Sequence, residues 1–338
     1  MVVFGMALVV MVVVAALGPW VVGVCRQRGL VAAVTSRSSH RVPTPHGGGF
    51  VLPLVVVPVA LGLVMWEGGT SAVFLKVLLL ASLLVAFIGW RDDHAELDPQ
   101  LRLAVHLPAV GLALAFLPPV FDVLPQQWVV PWWVEKVVLL LAWGWFVNLY
   151  NFMDGADGLA STEAVFIALG VALCVPALAP VAVVVAAAAA GLLRVNGPKA
   201  RVFLGDVGST WLGYVLGGLL LLGCAENTWQ IVWPLAVLPL VFCFDATTTL
   251  VRRMAEGHRP WVPHKTFWFH RFLGLGYSHG QLVAAVAGLN VALFGVAWVA
   301  WQQGWPEVGF GIGLLAMVVI VCYIRAIERG IHHGKSKR

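Results

Sequence analysis

The chain has 338 residues, 60% of them apolar and only 11% charged, with a mean hydropathy of +0.90. Soluble domains carry about 45–50% apolar and about 25% charged residues, so a globular cytosolic enzyme, a nucleic-acid-binding domain and a disordered protein are excluded. The net charge of +5 and pI near 9.1 then reflect membrane topology, because Lys and Arg accumulate in cytoplasmic loops, and imply no nucleic acid as a partner.

A transmembrane helix needs about 20 apolar residues. The hydropathy pattern predicts an all-α polytopic membrane protein with eleven spans, near residues 2–24, 48–66, 72–90, 102–120, 136–153, 160–177, 178–194, 209–225, 230–250, 280–301 and 307–325. The first run has no basic residues ahead of it, and Arg26 and Arg28 follow it, so it reads as a retained span and not a cleaved signal. Pro176 and Pro180 divide the sixth span from the seventh. With that division, 19 of the 21 Lys and Arg residues fall on one set of loops, and only Lys76 and Lys136 on the other. The positive-inside rule then predicts an external N-terminus and a cytoplasmic C-terminus. Trp128, Trp132 and Trp133 suggest an aromatic belt, and many of the 16 tryptophans read as interfacial anchors. Ala186–Ala190 with Gly191 reads as small-residue helix packing, and the five scattered cysteines as packing residues, not a metal or redox site. A homodimer in lipid would leave no mark in this pattern, since apolar surface faces lipid and partner alike.

Eleven of the 16 acidic residues lie on the basic side or just inside its boundary. Topology does not require this of carboxylates. A membrane face carrying both carboxylates and cations suits an anionic, metal-complexed substrate such as a diphosphate with Mg²⁺.

Four segments on that face carry the chemistry. His40 to Gly49 ends in Gly47, Gly48 and Gly49, whose backbone can approach a phosphate closely; a plain turn before a helix is the simpler reading. Arg91-Asp92-Asp93 closes the third span, where adjacent carboxylates bind a metal, act as a base, or are merely solvated. Asn151 to Gly158 holds Asp154 and Asp157, which share a face with Asn151 if the fifth helix persists that far. The Asp-Gly pairs instead favour a tight acidic loop. Gly205-Asp206-Val207-Gly208 opens the eighth span, where helix N-terminal donors favour anions and an Asp is also an ordinary cap. A looser region after the ninth span holds Asp245, Arg252, Arg253, His258, His264, Lys265, His270, Arg271 and His279, whose imidazoles and guanidiniums suit phosphate.

In this order and on one face, the segments PTPHGGG, RDD, NFMDGADGLA and FLGDVGS resemble the polyprenyl-phosphate N-acetylhexosamine-1-phosphate transferase family, over about residues 36–280 of a single transmembrane domain spanning 1–338. Two further spans, over 281–325, and a basic tail, 326–338, follow. The resemblance implies transfer of a sugar 1-phosphate from a UDP-N-acetylhexosamine to undecaprenyl phosphate with release of UMP, at the cytoplasmic face of a bacterial inner membrane. The metal it implies is Mg²⁺, with Mn²⁺ as a substitute. It implies Asp206 as first metal ligand with Asp154 beside it, and Asp92 and Asp93 as the Asp pair, Asp92 deprotonating or orienting the lipid phosphate. Asn151, Asp154 and Asp157 match the element around metal, diphosphate and nucleotide, and Gly47, Gly48, Gly49, His264, Lys265, His270 and Arg271 are the implied substrate-binding residues.

Two positions depart from the family pattern: His46 replaces the Arg before the triple glycine, and Phe267 replaces the second His of a His-Arg-x-His element. Both bear on sugar recognition more than on phosphoryl transfer. Eleven spans and the Ser38-Ser39-His40 lead-in resemble the branch that initiates O-antigen-like polymers, whose sugars include GlcNAc and 6-deoxy N-acetylamino sugars, more than the peptidoglycan translocase branch. A transporter or flippase would need carboxylates near helix midpoints, and an inactive scaffold of the family would be expected to lose some of its five aspartates.

Overall fold

Long runs of Val, Leu, Ala and Ile offer no side chain that competes for the backbone, and in lipid every N–H and C=O must be satisfied within its own segment. The computed structural model describes residues 2–32, 42–69, 71–118, 131–259 and 264–336, which form an all-α polytopic membrane protein with one two-residue strand pair. Ser38-Ser39-His40, Arg41 and Trp128 of the sequence reading lie outside the described residues. The helices are α1 (Val2–Gln27), α2 (Val51–Glu67), α3 (Ala72–Ala95), α4 (Pro99–Leu114), α5 (Trp132–Phe152), α6 (Leu159–Cys174) and α7 (Ala179–Asn196). They continue with α8 (Gly205–Ala225), α9 (Trp229–Val237), α10 (Leu240–Ala255), α11 (Trp268–Gly274), α12 (His279–Gln302) and α13 (Pro306–Ser336).

Among the described residues, eight helical segments are long and apolar enough to cross a bilayer, or nine if one bent pair counts as a span. That pair is the predicted span near 230–250. It is not continuous: α9 and α10 meet at 72°. Pro239 stands at the break, where it has no N–H to carry the helix ladder across. The predicted spans near 102–120 and 160–177 correspond to α4 and α6, 16 residues each and shorter than the roughly 20 residues of a full crossing.

α8 is the central helix, buried along most of its length and packed against α3, α5 and α6. Its own large aromatics and Trp143 of α5 are also hydrogen-bonded, as buried aromatics with polar tips require. Trp143 donates to the Tyr214 carbonyl at 3.0 Å, Trp211 to Ser82 Oγ at 2.9 Å, and the Tyr214 hydroxyl to the Ala109 carbonyl at 2.9 Å. Trp143 and Trp211 are therefore core residues and not interfacial anchors, whereas Trp132 and Trp133 are exposed. The small residues of α7 let α1 approach closely: a Cβ on Gly191 would lie 2.5 Å from the Met11 carbonyl oxygen. The five cysteines form no disulfide.

Two helix ends decide where the acidic residues go. α5 stops at Phe152, and the Asp154 N–H bonds back to the Asn151 carbonyl at 3.1 Å. Asp154 and Asp157 therefore sit in a loop and do not share a helical face with Asn151. Asp98 caps α4 by accepting the Gln100 N–H at 2.7 Å, with Pro99 in the first turn, which explains its place after the Asp pair. The C-terminal ends of α3, α5, α7 and α10 and the N-terminal ends of α4, α6, α8 and α12 all meet at one end of the bundle.

Candidate active site

The site is assembled where α3 and α8 cross. At Gly89 the two backbones nearly touch, and a Cβ there would lie 2.7 Å from the Asp206 carbonyl oxygen. That contact sets the last turn of α3 beside the first turn of α8. Asp93 Oδ1 and Oδ2 accept the Asp206 and Val207 N–H groups at 2.9 and 3.1 Å, so a carboxylate from one helix caps the other. His46 Nε2 donates to the Asp93 carbonyl at 2.9 Å and ties the glycine segment to the same turn.

Asp92 turns the other way. Its Oδ1 accepts the Leu97 N–H at 2.5 Å, and its Oδ2 accepts from Arg102 Nη1 at 2.6 Å. The same Arg102 nitrogen reaches Asp206 Oδ2 at 2.6 Å. One guanidinium thus joins Asp92 to Asp206, reaching the latter across 104 positions of sequence. Sequence reasoning counted Arg102 only as a topology residue; its signal was a basic residue one turn into a helix that follows an acidic cluster.

The acidic loop completes the group. Asn151 Nδ2 donates to Ser209 Oγ on α8 at 3.0 Å. Asp154 accepts the Gly205 N–H and lies within electrostatic reach of Asp206, Asp93 and Asp157. Burial first, and then those three charges, push the Asp154 carboxyl well above the usual carboxylate range. Asp157 has a different environment: although burial pushes it up, His279 and the Ala200 and Lys199 N–H groups hold its carboxyl below that range. His279 Nδ1 lies 3.1 Å from Asp157 Oδ1. Asp157 therefore fastens the loop to α12 and the segment after α7, while Asp154 is left among like charges.

The glycine segment does not offer all the donors that its sequence suggested. The Gly48 and Gly49 N–H groups are taken by the Phe203 and Leu204 carbonyls at 2.9 and 2.8 Å. A Cβ on Gly49 would lie 2.4 Å from Gly208 Cα, so these glycines admit a backbone-to-backbone contact with α8. Gly47 sits against Asp93 and Gly205, and Gly205 itself has φ of +74°, which favours glycine.

The loop before α11 closes the other side. Asp245 on α10 accepts the Trp268 and Phe269 N–H groups at 2.8 and 3.1 Å and so caps α11. Phe267, in the place of the missing His, is buried in a stack with Phe152, Phe269 and His264 that docks the loop against the end of α5. His270 stacks on Phe269, with ring centres 4.0 Å apart, and a Cβ on Gly155 of the acidic loop would be 3.4 Å from His270 Cε1. Lys265 is exposed and within electrostatic reach of His270. Arg271 lies over the Trp268 ring, its Cζ 4.7 Å from the ring centre.

Burial, and then nearby positive charge, lower both His264 and His270 to about 4, so both imidazoles are neutral in the docked loop at neutral pH. An undocked loop would titrate near the ordinary value of about 6.5. Between those values it binds more protons than the docked one, so docking weakens as pH falls. Amide exchange over residues 264–275, corrected for intrinsic rate, should therefore speed up on going from pH about 7.5 to about 5.5. Replacing both histidines with glutamine should remove the effect; unchanged protection in the wild type would refute it.

Among the described residues, no three His, Cys, Asp or Glu side chains form a ready metal cage. Mg²⁺ does not need one: it is commonly held by one or two carboxylates, water and substrate phosphates. An all-oxygen donor set of crowded carboxylates, with Asp154 pushed up by its neighbours, has the chemistry of a site for such a cation. Asp206 and Asp154 are the residues that would hold it.

Residues 75–224 match glycosyl transferase family 4. The chain is 32% identical to phospho-N-acetylmuramoyl-pentapeptide-transferase of Thermosynechococcus vestitus, over 87% of this chain and 84% of that protein. It is 27% identical to the probable undecaprenyl-phosphate N-acetylglucosaminyl 1-phosphate transferase of Bacillus subtilis (91% and 87% covered) and 26% identical to the decaprenyl-phosphate N-acetylglucosaminephosphotransferase of Mycolicibacterium smegmatis (92% and 85%). The aspartate-lined end of α3 and α8 falls inside the matched segment, the alignments run through nearly the whole bundle, and the chain belongs to glycosyl transferase family 4.

Proposed function

We propose that the protein transfers a sugar 1-phosphate from a UDP-N-acetylhexosamine to undecaprenyl phosphate at the cytoplasmic face of a bacterial inner membrane, giving undecaprenyl-diphospho-sugar and UMP. The observation that carries this reading is the joining of Asp92 to Asp206 by Arg102, with Asp93 capping α8 beside them, at one end of a membrane bundle. Positive-inside bias places that end in the cytoplasm, where UDP-sugars are found, with α4 and α6 counted as the two short members of eleven spans. An oxygen of the lipid phosphate attacks the sugar-side phosphorus, the bond from that phosphorus to the bridging oxygen breaks, and UMP leaves with that oxygen. Phosphoryl transfer of this kind is mostly positioning and charge neutralisation.

The residues divide the task accordingly. A phosphate monoester carries about −1.5 to −2 charges at pH 7 and needs no strong base. Both Asp92 oxygens are engaged, so in this reading Asp92 acts by orienting Arg102, whose guanidinium would neutralise the lipid phosphate. Asp206 and Asp154 would hold Mg²⁺, which when bound neutralises the diphosphate. Asn151 and Asp157 fix the loop that carries Asp154, and His264, Lys265 and His270, which lie near one another, are assigned to the sugar by this proposal. The relatives named for GlcNAc transfer support an N-acetylglucosamine donor; a 6-deoxy N-acetylamino sugar and the initiation of an O-antigen-like polymer enter the proposal from the sequence resemblance alone. The test is UMP release by purified protein with undecaprenyl phosphate and Mg²⁺ across a panel of UDP-N-acetylhexosamines. UMP should form only with lipid and metal both present, and its absence with every donor would refute the reading.

A further inference from the structure

Glu163 is the only charged residue of α6, and it is buried in the bundle one turn after that helix begins. A carboxyl group at such a place is costly unless it is paired or used. Its partner is neutral: Asn290 Nδ2 on α12, also buried, donates to Glu163 Oε2 at 2.5 Å. Among the described residues, no Lys, Arg or His lies within ion-pair distance of Glu163. The other groups within electrostatic reach are the Tyr150 hydroxyl of α5 and the Cys243 thiol of α10. Tyr150 donates to the Ala160 carbonyl at 2.7 Å, and so has no hydrogen left for the carboxyl.

Two buried atoms of this pair have no hydrogen-bond partner, Glu163 Oε1 and Asn290 Oδ1. With an ionised carboxylate both are acceptors, and burying them unmet costs the desolvation of each. They belong to the same two side chains that already share one bond. A single proton on Glu163 makes its Oε1 a donor, and the Asn290 oxygen is the acceptor left over. The side chains then match head to head as a carboxylic acid and a carboxamide do, with two hydrogen bonds and no net charge.

The pair joins the two helices that border the acidic loop. α6 starts directly after that loop, and α12 starts with His279, whose Nδ1 lies 3.1 Å from Asp157 Oδ1. Asn290 is eleven residues after His279, about three turns along the same face of α12. The other buried residues of α12 are Leu282, Leu293 and Ala297, so apolar packing does little to fix its height and rotation. A directional bond three turns from His279 fixes both. We propose that Glu163 holds a proton in the folded protein and, joined to Asn290 by two hydrogen bonds, is the positioning residue that sets α12 so that His279 meets Asp157. Its link to turnover rests on the transferase reading; the pair itself does not.

The test combines infrared spectroscopy with amide exchange of the full chain in detergent, and neither needs a substrate. The spectrum of wild type minus that of Glu163→Gln at neutral pH should show the carbonyl band of a protonated carboxylic acid. A carboxylate band in its place would overturn the proposal. Glu163→Gln, whose amide can make both bonds, should keep the wild-type melting temperature and the wild-type exchange of residues 154–159. Glu163→Leu leaves Asn290 unpaired, and should lower the melting temperature and speed that exchange by about two- to tenfold, the scale of one hydrogen bond. With Asn290→Leu added, both polar groups are gone and the melting temperature should recover. Loop exchange should stay fast, because nothing then fixes the rotation of α12. Loop exchange that recovers together with the melting temperature would make the pair a packing contact and overturn the positioning role. UMP release should follow loop exchange across these proteins; its absence from wild type would refute the transferase reading, while the infrared and exchange results still decide the pair.

Discussion

An Asp206→Asn variant should lose at least about 10²–10³-fold in turnover, the scale on which removing one preorganised electrostatic contact acts, while remaining folded. The amide keeps the shape of the carboxyl and an oxygen that can accept from Arg102 Nη1, so the bridge to Asp92 survives in outline. What it loses is one negative charge at the place where a divalent cation would be held. Removing that charge also relieves Asp154, whose carboxyl Asp206 helps to push up. The melting temperature should therefore hold or rise as activity falls. The deciding measurement is UMP release against Mg²⁺ concentration for both proteins, with a thermal melt of each in the same detergent. Wild-type turnover at every metal concentration would remove Asp206 from the metal role. A collapsed melt would make it a structural residue instead.

Much of the architecture was legible because hydropathy reports burial in lipid directly. Each predicted span has a helix in the structure, but the ninth was read as continuous, and its break at Pro239 was not foreseen. The length of α4 and α6 was not legible, since flanking apolar residues of turns add to an apolar run without extending the helix. At the site, the carboxylates could be picked out because charge near a membrane boundary is costly unless used. Their roles could not be. Asp92 and Asp93 are adjacent in sequence, yet one faces Arg102 and the other caps α8, a division set by the rotation of α3 at its last turn. Asp245 read as a phosphate-loop residue and is instead the cap of α11, a bond across 23 positions that no local pattern encodes. Gly48 and Gly49 look like phosphate-cradle glycines for the same reason that they serve as packing glycines: both uses require a missing Cβ.

That reasoning gives the second large effect, at a glycine with no polar function at all. Gly89→Ala would put a methyl carbon 2.7 Å from the Asp206 carbonyl oxygen, 2.7 Å from Val207 Cα and 2.8 Å from the Asp206 carbonyl carbon. All three are backbone atoms of α8, so no side chain can rotate aside, and α3 must move from α8 by most of an ångström. Overpacking of this kind costs about 1–3 kcal/mol. The displacement also acts on the Asp93 bonds to the Asp206 and Val207 N–H groups and on the Arg102 bridge, because these begin within two turns of residue 89. A misplacement of about 1 Å can cost about 10²-fold in rate, so turnover should fall by about that factor, more than the melting temperature alone would suggest. The matched control is Gly62→Ala on α2, where nothing lies within 4 Å of the added carbon and neither activity nor melting should change. If Gly89→Ala behaves like the control, the two helices have slack at their crossing, and the aspartates are positioned by their own hydrogen bonds and not by the packing beneath them.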